Sequence, residues 1–148
     1  MYDFLFHAHS LLRFVVFFAL VVATILAFMG WFGKKPFSKA NKTLNLVTLI
    51  STHVQVLVGL FLYFVSPLVT SSTMGEAMKD STLRYWKVEH VAMMLAAAVL
   101  ITIGNAKSKK IAELTAKHRP VAIFFGLALL LIVVAILQSG RPLLGISH

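Results

Sequence analysis

The chain has no cysteine among its 148 residues. That absence excludes disulfides, thiolate metal sites, iron–sulfur ligation and covalent haem attachment through a C-x-x-C-H sequence, so any bound metal or haem has to be held by histidine. Charge is also scarce. Asp, Glu, Lys and Arg make up 13% of the chain against 59% hydrophobic residues, and the mean hydropathy is +0.87. A soluble domain with this balance would precipitate. The period-two alternation of a membrane barrel is missing too, which excludes that class. No connection is long enough to form a separate soluble domain, the longest being residues 66–83.

What the chain does have is four apolar runs, at about 3–32, 43–65, 84–106 and 119–139. Each reaches the ~20 residues needed to cross a bilayer. In hydrocarbon the backbone must satisfy its own hydrogen bonds, so the runs predict an all-α fold: one four-helix transmembrane bundle forming a single domain over residues 1–148. Local signals agree. Gly30, Gly33 and Pro36 close the first run, Ser66-Pro67 the second and Gly140 with Pro142 the fourth. Arg119-Pro120 opens the fourth, since proline is tolerated in a first turn. Residues 74–82 have the composition of a short interfacial turn. The first run is expected to stay in the mature protein: no Lys or Arg precedes it, it exceeds a signal-peptide core, and no small-residue cleavage site interrupts it.

The formal net charge is +9, and its placement is informative. Lys34, Lys35, Lys39 and Lys42 fill the first connection, and Lys107, Lys109, Lys110, Lys117 and Arg119 fill the third. Residues 66–83 hold only Lys79, balanced by Glu76 and Asp80. The positive-inside rule then puts both termini outside (N-out/C-out) and the basic connections in the cytoplasm of a bacterial inner-membrane protein. Such cations touch anionic lipid. They do not form a face for nucleic acid, because short loops between spans leave no surface to dock a duplex.

At ~100° per residue the polar side chains fall on defined faces. On the first run His9 and Arg13 share a face with Leu20, Thr24 and Ala27, and His7 points elsewhere. On the second, Asn45, Thr48, Thr52, Gln55, Gly59 and Tyr63 form one stripe, with His53 off it. On the third, Trp86, Glu89, His90, Met93, Ala97 and Gly104 share a sector. In lipid these faces must turn inward.

His9 and His90 share a depth near the outer surface. They are either the axial ligands of a haem, with Arg13 and Arg141 as cations for its propionates, or plain interfacial polar residues. Glu89 is the natural partner for Arg13, because an uncompensated charge in hydrocarbon costs several kcal/mol. That pair is either an inter-helix clamp or, with His90, an acid–base group beside a quinol-like substrate. Gln55 and Gly59 read as close packing with one inter-helix hydrogen bond, or less readily as a ligand site. His53 reads as a hydrogen-bonded core residue rather than a haem ligand, and His118 and His148 as solvated. A weak internal symmetry pairs His9 with His90 and Gly59-Leu60 with Gly126-Leu127, and a true two-fold would bring the two histidines toward one axis.

The series His9-Ser-Leu-Leu-Arg13, Gly30-Trp31 with a basic loop, Gln55-x-x-x-Gly59-Leu-x-x-Tyr63-x-x-Ser66-Pro67, Arg84-Tyr-Trp-x-Val-Glu89-His90 and Arg141-Pro142 resembles a family of small four-helix bacterial membrane proteins of the cytochrome b-like type. It spans nearly the whole chain. The Gln-x-x-x-Gly-Leu helix followed by a helix opening with histidine is also similar to one half of haem A synthase. The resemblance implies one haem b held by His9 and His90, with Arg13 and Arg141 near its propionates. The chain lacks the Glu-x-x-His spacing of haem A synthase and the second histidine pair of di-haem cytochromes. The expectation is therefore a small b-type cytochrome, or cytochrome b-like subunit, carrying electrons near the outer face and linked to quinol. The alternative is a cofactor-free structural or assembly subunit of a larger respiratory complex. Expected partners are the lipid bilayer, quinol, other membrane subunits and further copies of the chain. A small transporter is third, because four short helices without a discontinuous pair need oligomerisation to transport.

Overall fold

The computed structural model describes residues 2–65, 79 and 89–138. Among these residues the structure is all helical: α1 (Tyr2–Phe32), α2 (Lys39–Val65), α3 (His90–Lys110), a 3₁₀ turn (Leu114–Ala116) and α4 (His118–Gln138). Four helices are long and apolar enough to cross a membrane. α1 packs on α2 and α4, and α3 packs on α4 and, less extensively, on α2. α1 and α3 thus face each other across the diagonal.

The helix boundaries differ from the expected spans for local reasons. α2 begins at Lys39, four residues before the expected position 43, because Ser38 caps it. The Asn41 backbone N–H donates to Ser38 Oγ at 3.2 Å and the Ser38 N–H donates to Asn41 Oδ1 at 3.0 Å. This is a capping box with Asn in the place usually taken by Glu or Gln. α3 runs to Lys110 rather than 106, and its last turn carries Lys107, Lys109 and Lys110, cations that suit a helix C-terminus. α1 ends at Phe32 as expected, but neither glycine supplies the left-handed residue. Lys34 does, with φ 50°. The Lys35 N–H donates to Gly30 O at 2.9 Å and the Lys34 N–H to Trp31 O at 3.4 Å, the two bonds of a Schellman cap. Residues 84–88 of the third span, the 74–82 turn apart from Lys79, Ser66-Pro67 and the Gly140/Pro142 stop lie outside the described residues.

The second helix, α2, is polar on its buried side and apolar on its exposed side. The buried residues of α2 are Asn45, Thr48, Ser51 and Thr52, whereas Ile50, Leu57, Phe61 and Phe64 are exposed. The inward hydroxyls are satisfied within their own helix. Thr48 Oγ1 donates to Leu44 O at 2.9 Å and Thr52 Oγ1 to Thr48 O at 2.7 Å, and Thr24 and Thr102 do the same on α1 and α3. The apolar centre lies elsewhere, where Leu20, Ile101, Val121 and Phe125 meet with almost no exposure. Gly104 brings α3 against α4 there: a Cβ on it would lie 2.8 Å from Phe124 Cβ.

The two basic connections lie at one end. The Phe37 N–H of the first donates to Leu114 O of the other at 3.1 Å. His118, expected to be solvated among these lysines, is instead buried at 2% exposure. Its ring packs 5.2 Å from the Phe37 ring and fills the hollow over Gly30, where a Cβ would come within 2.5 Å of Nε2. Gly30 is therefore less a helix stop than a seat for an imidazole. Gly30→Ala should lower the thermal midpoint of the detergent-solubilised protein, at an overpacking cost of about 1–3 kcal/mol. His118→Ala in the same background should recover part of that loss. A neutral Gly30→Ala would mean that the ring has room to move aside.

Candidate functional site

α1 brings His9, Ser10 and Arg13 to the end of the bundle opposite the lysines, and α3 opens there with His90. The two imidazoles meet across the diagonal with ring centroids 6.4 Å apart and planes at 74°. α2 is tied to the backbone of α1 at the same level. Gln55 Nε2 donates to the His9 carbonyl oxygen at 2.9 Å. One turn further along α2, Gly59 faces the His9 ring, so close that a Cβ would lie 3.2 Å from Cε1. The Gln55–Gly59 spacing thus does both jobs expected of packing, a single inter-helix bond and a close approach.

These residues line a cavity of about 150 Å³, walled otherwise by apolar side chains such as Val16, Met94, Ala97 and Ile132. Three buried polar atoms on its wall, His9 Nδ1, Ser10 Oγ and Gln55 Oε1, have no hydrogen-bond partner among the described residues. A buried polar group left unmet costs about 1–3 kcal/mol, so three around one cavity call for water or a ligand to meet them.

The donor set narrows what that ligand can be. No group of three or more His, Asp or Glu that could hold a metal ion occurs among the described residues, whereas a bare ion such as zinc takes about four ligands. A tetrapyrrole brings its own nitrogens and asks the protein for axial ligands alone. His9 and His90 are the two imidazoles on this cavity that could hold such a group.

The other expected residues are distributed as follows. Arg13 lines the same cavity, its guanidinium 5.1 Å from the Phe14 ring centroid. Glu89 is half-buried immediately before His90. Arg141 and His148 lie outside the described residues. His7 is exposed, as expected. His53 is not a core residue: it is exposed on the outer seam between α2 and α3, where Nε2 lies 3.0 Å from Thr102 Oγ1. Sequence reasoning missed Ser10, the neighbour of His9, and took Met93 where Met94 lines the cavity. The internal symmetry holds only in part. Gly59 faces His9, but Gly126 lies against Phe28 and Thr24 rather than His90.

Comparison with known protein families, with characterised proteins and with solved structures finds no match. Gln55→Leu should keep the volume but remove the bond to His9 O. The expected loss is about 0.6–1.7 kcal/mol, the range of inter-helix hydrogen bonds in bundles of this kind, read as a lower thermal midpoint in detergent. An unchanged midpoint would show that α1 and α2 hold register without it.

Proposed function

We propose that the chain is a multi-pass protein of the bacterial inner membrane and a small cytochrome b-like electron carrier, with one haem b between His9 and His90. The observation that carries this reading is the pair of imidazoles 6.4 Å apart on a cavity whose wall holds orphaned polar atoms. Haem b bound there supplies reversible one-electron storage at its iron. The chain does the rest. His9 and His90 would hold the group, and the bond from Gln55 to the His9 carbonyl ties α2 to α1 beside it. Arg13, and Arg141 beyond the described residues, offer charge-assisted hydrogen bonds to propionates. The apolar wall keeps water away, and Glu89 beside His90 compensates the cationic rim.

Dithionite-reduced protein purified after haem-sufficient expression should show a Soret band with sharp α and β bands. His9→Ala and His90→Ala should each abolish the low-spin spectrum or turn it high-spin. His7→Ala, at an exposed position, should leave it unchanged. A pure protein without these bands, or His9 and His90 variants with the wild-type spectrum, would replace this reading with that of a cofactor-free assembly subunit.

The same reading sets the orientation, with the lysine-rich end in the cytoplasm and the His9–His90 end outside. Single cysteines at Asp3 and Lys35, both exposed, should react differently with an impermeant thiol reagent in intact cells. Asp3→Cys should label and Lys35→Cys should not. The reverse pattern would place the cavity at the cytoplasmic face.

A further inference from the structure

The lysine-rich end of the bundle carries a charge that its own side chains do not balance. Lys34, Lys35, Lys39 and Lys42 of the first connection are exposed, as are Lys109, Lys110 and Arg119 of the third. Among the described residues none of them is paired with a carboxylate. Glu113, the acid in the third connection, accepts instead from Thr115 Oγ1 at 2.8 Å. Two other cations are engaged inside the fold: Lys107 lies over the Phe124 ring, 6.0 Å from its centroid, and Lys117 Nζ donates to Ser108 O at 2.9 Å.

The two connections are nevertheless clasped, by the bond from the Phe37 N–H to Leu114 O and by the His118 ring packed on Phe37 and Gly30. Membrane insertion accounts for cations on one side of the bilayer, but not for holding two sets of like charge against each other. Something anionic has to screen them. Lys34 adds a second sign, because its φ of 50° is a conformation that glycine adopts at less cost, and a cation stands there all the same. The surroundings select the anion. Phe32 is exposed two residues before Lys34, and Leu114 is exposed at the clasp itself, so apolar surface and cations share one rim. An amphiphile with a phosphate and acyl chains meets both, whereas an acidic soluble protein meets only the charge. We propose that the clasped connections are a seat for anionic phospholipid headgroups, whose phosphates bridge the two sets of cations and hold the clasp closed. Lipid charge then contributes to the stability of the fold as well as to its orientation. The inference rests on this end of the bundle and not on haem.

The test uses the full chain in two measurements. A Trp86→Phe variant leaves Trp31, at the end of α1, as the fluorophore. In phosphatidylcholine vesicles, brominated phosphatidylglycerol should quench it more strongly than brominated phosphatidylcholine at the same mole fraction. Lys35→Gln and Lys110→Gln, one exposed cation from each connection, should each lower that preference about fivefold, the equivalent of one cation near an anionic surface. Added salt should lower it as well. For the unsubstituted chain in detergent, phosphatidylglycerol should raise the thermal midpoint and phosphatidylcholine should not. A His9→Ala variant should keep the lipid preference, so failure of the haem reading leaves this result intact. Equal quenching by the two lipids, a preference that survives both lysine substitutions, or a midpoint raised as much by inorganic phosphate would each overturn the proposal, the first leaving this end to an acidic protein and the last to a free anion.

Discussion

The contact on which the rest of the bundle depends is the approach of α3 to α4 at Gly104, which no residue with a side chain allows without displacing Phe124. It seats Phe125 at the centre of the apolar core and makes α4 the helix around which α1 and α3 arrange themselves. α2 meets α3 less extensively than the other neighbours meet, and the space left at that corner becomes the inner cavity on one side of Val56 and Leu95 and an outer groove on the other. The chemistry-bearing histidines line this loosely packed corner and not the core.

Much of this order is readable from residue spacing, and the failures have identifiable causes. The inward faces of α1 and α2 follow from a 3.6-residue period because each has one stripe that differs from the rest. α4 gave no such contrast: nearly every residue is apolar, so its buried face is set by where Ala122, Ala128 and Ala135 permit close approach rather than by polarity. The start of α2 was hidden because Lys39 and Lys42 look like loop, while the Ser38–Asn41 cap outweighs that impression. His118 was misread for a similar reason. Its neighbours in sequence are charged, and what buries it, Gly30 and Phe37, comes from far along the chain.

Of the candidate site, the His9–His90 meeting was legible because both stand on inward faces at the same end, and Gln55 with Gly59 because their spacing repeats a helix turn. Ser10 was not legible. A serine beside a histidine in an apolar helix carries no signal of its own, since its hydroxyl is ordinarily absorbed by the preceding turn. His53 was misread as core although it stands off the polar stripe of α2, and its partner was hidden because Thr102 lies 49 residues away on another helix.

The self-satisfied hydroxyls of α2 have a mechanical consequence. Thr48, Ser51 and Thr52 turn their polar atoms back onto their own backbone, so the buried side of α2 presents a smooth row of small groups and offers neighbours no directional grip. Inter-helix bonds of α2 include one to α1 at Gln55 and one to α3 at His53. Its position along the bundle is otherwise set by the fit of that row of small groups against its neighbours, above all α1.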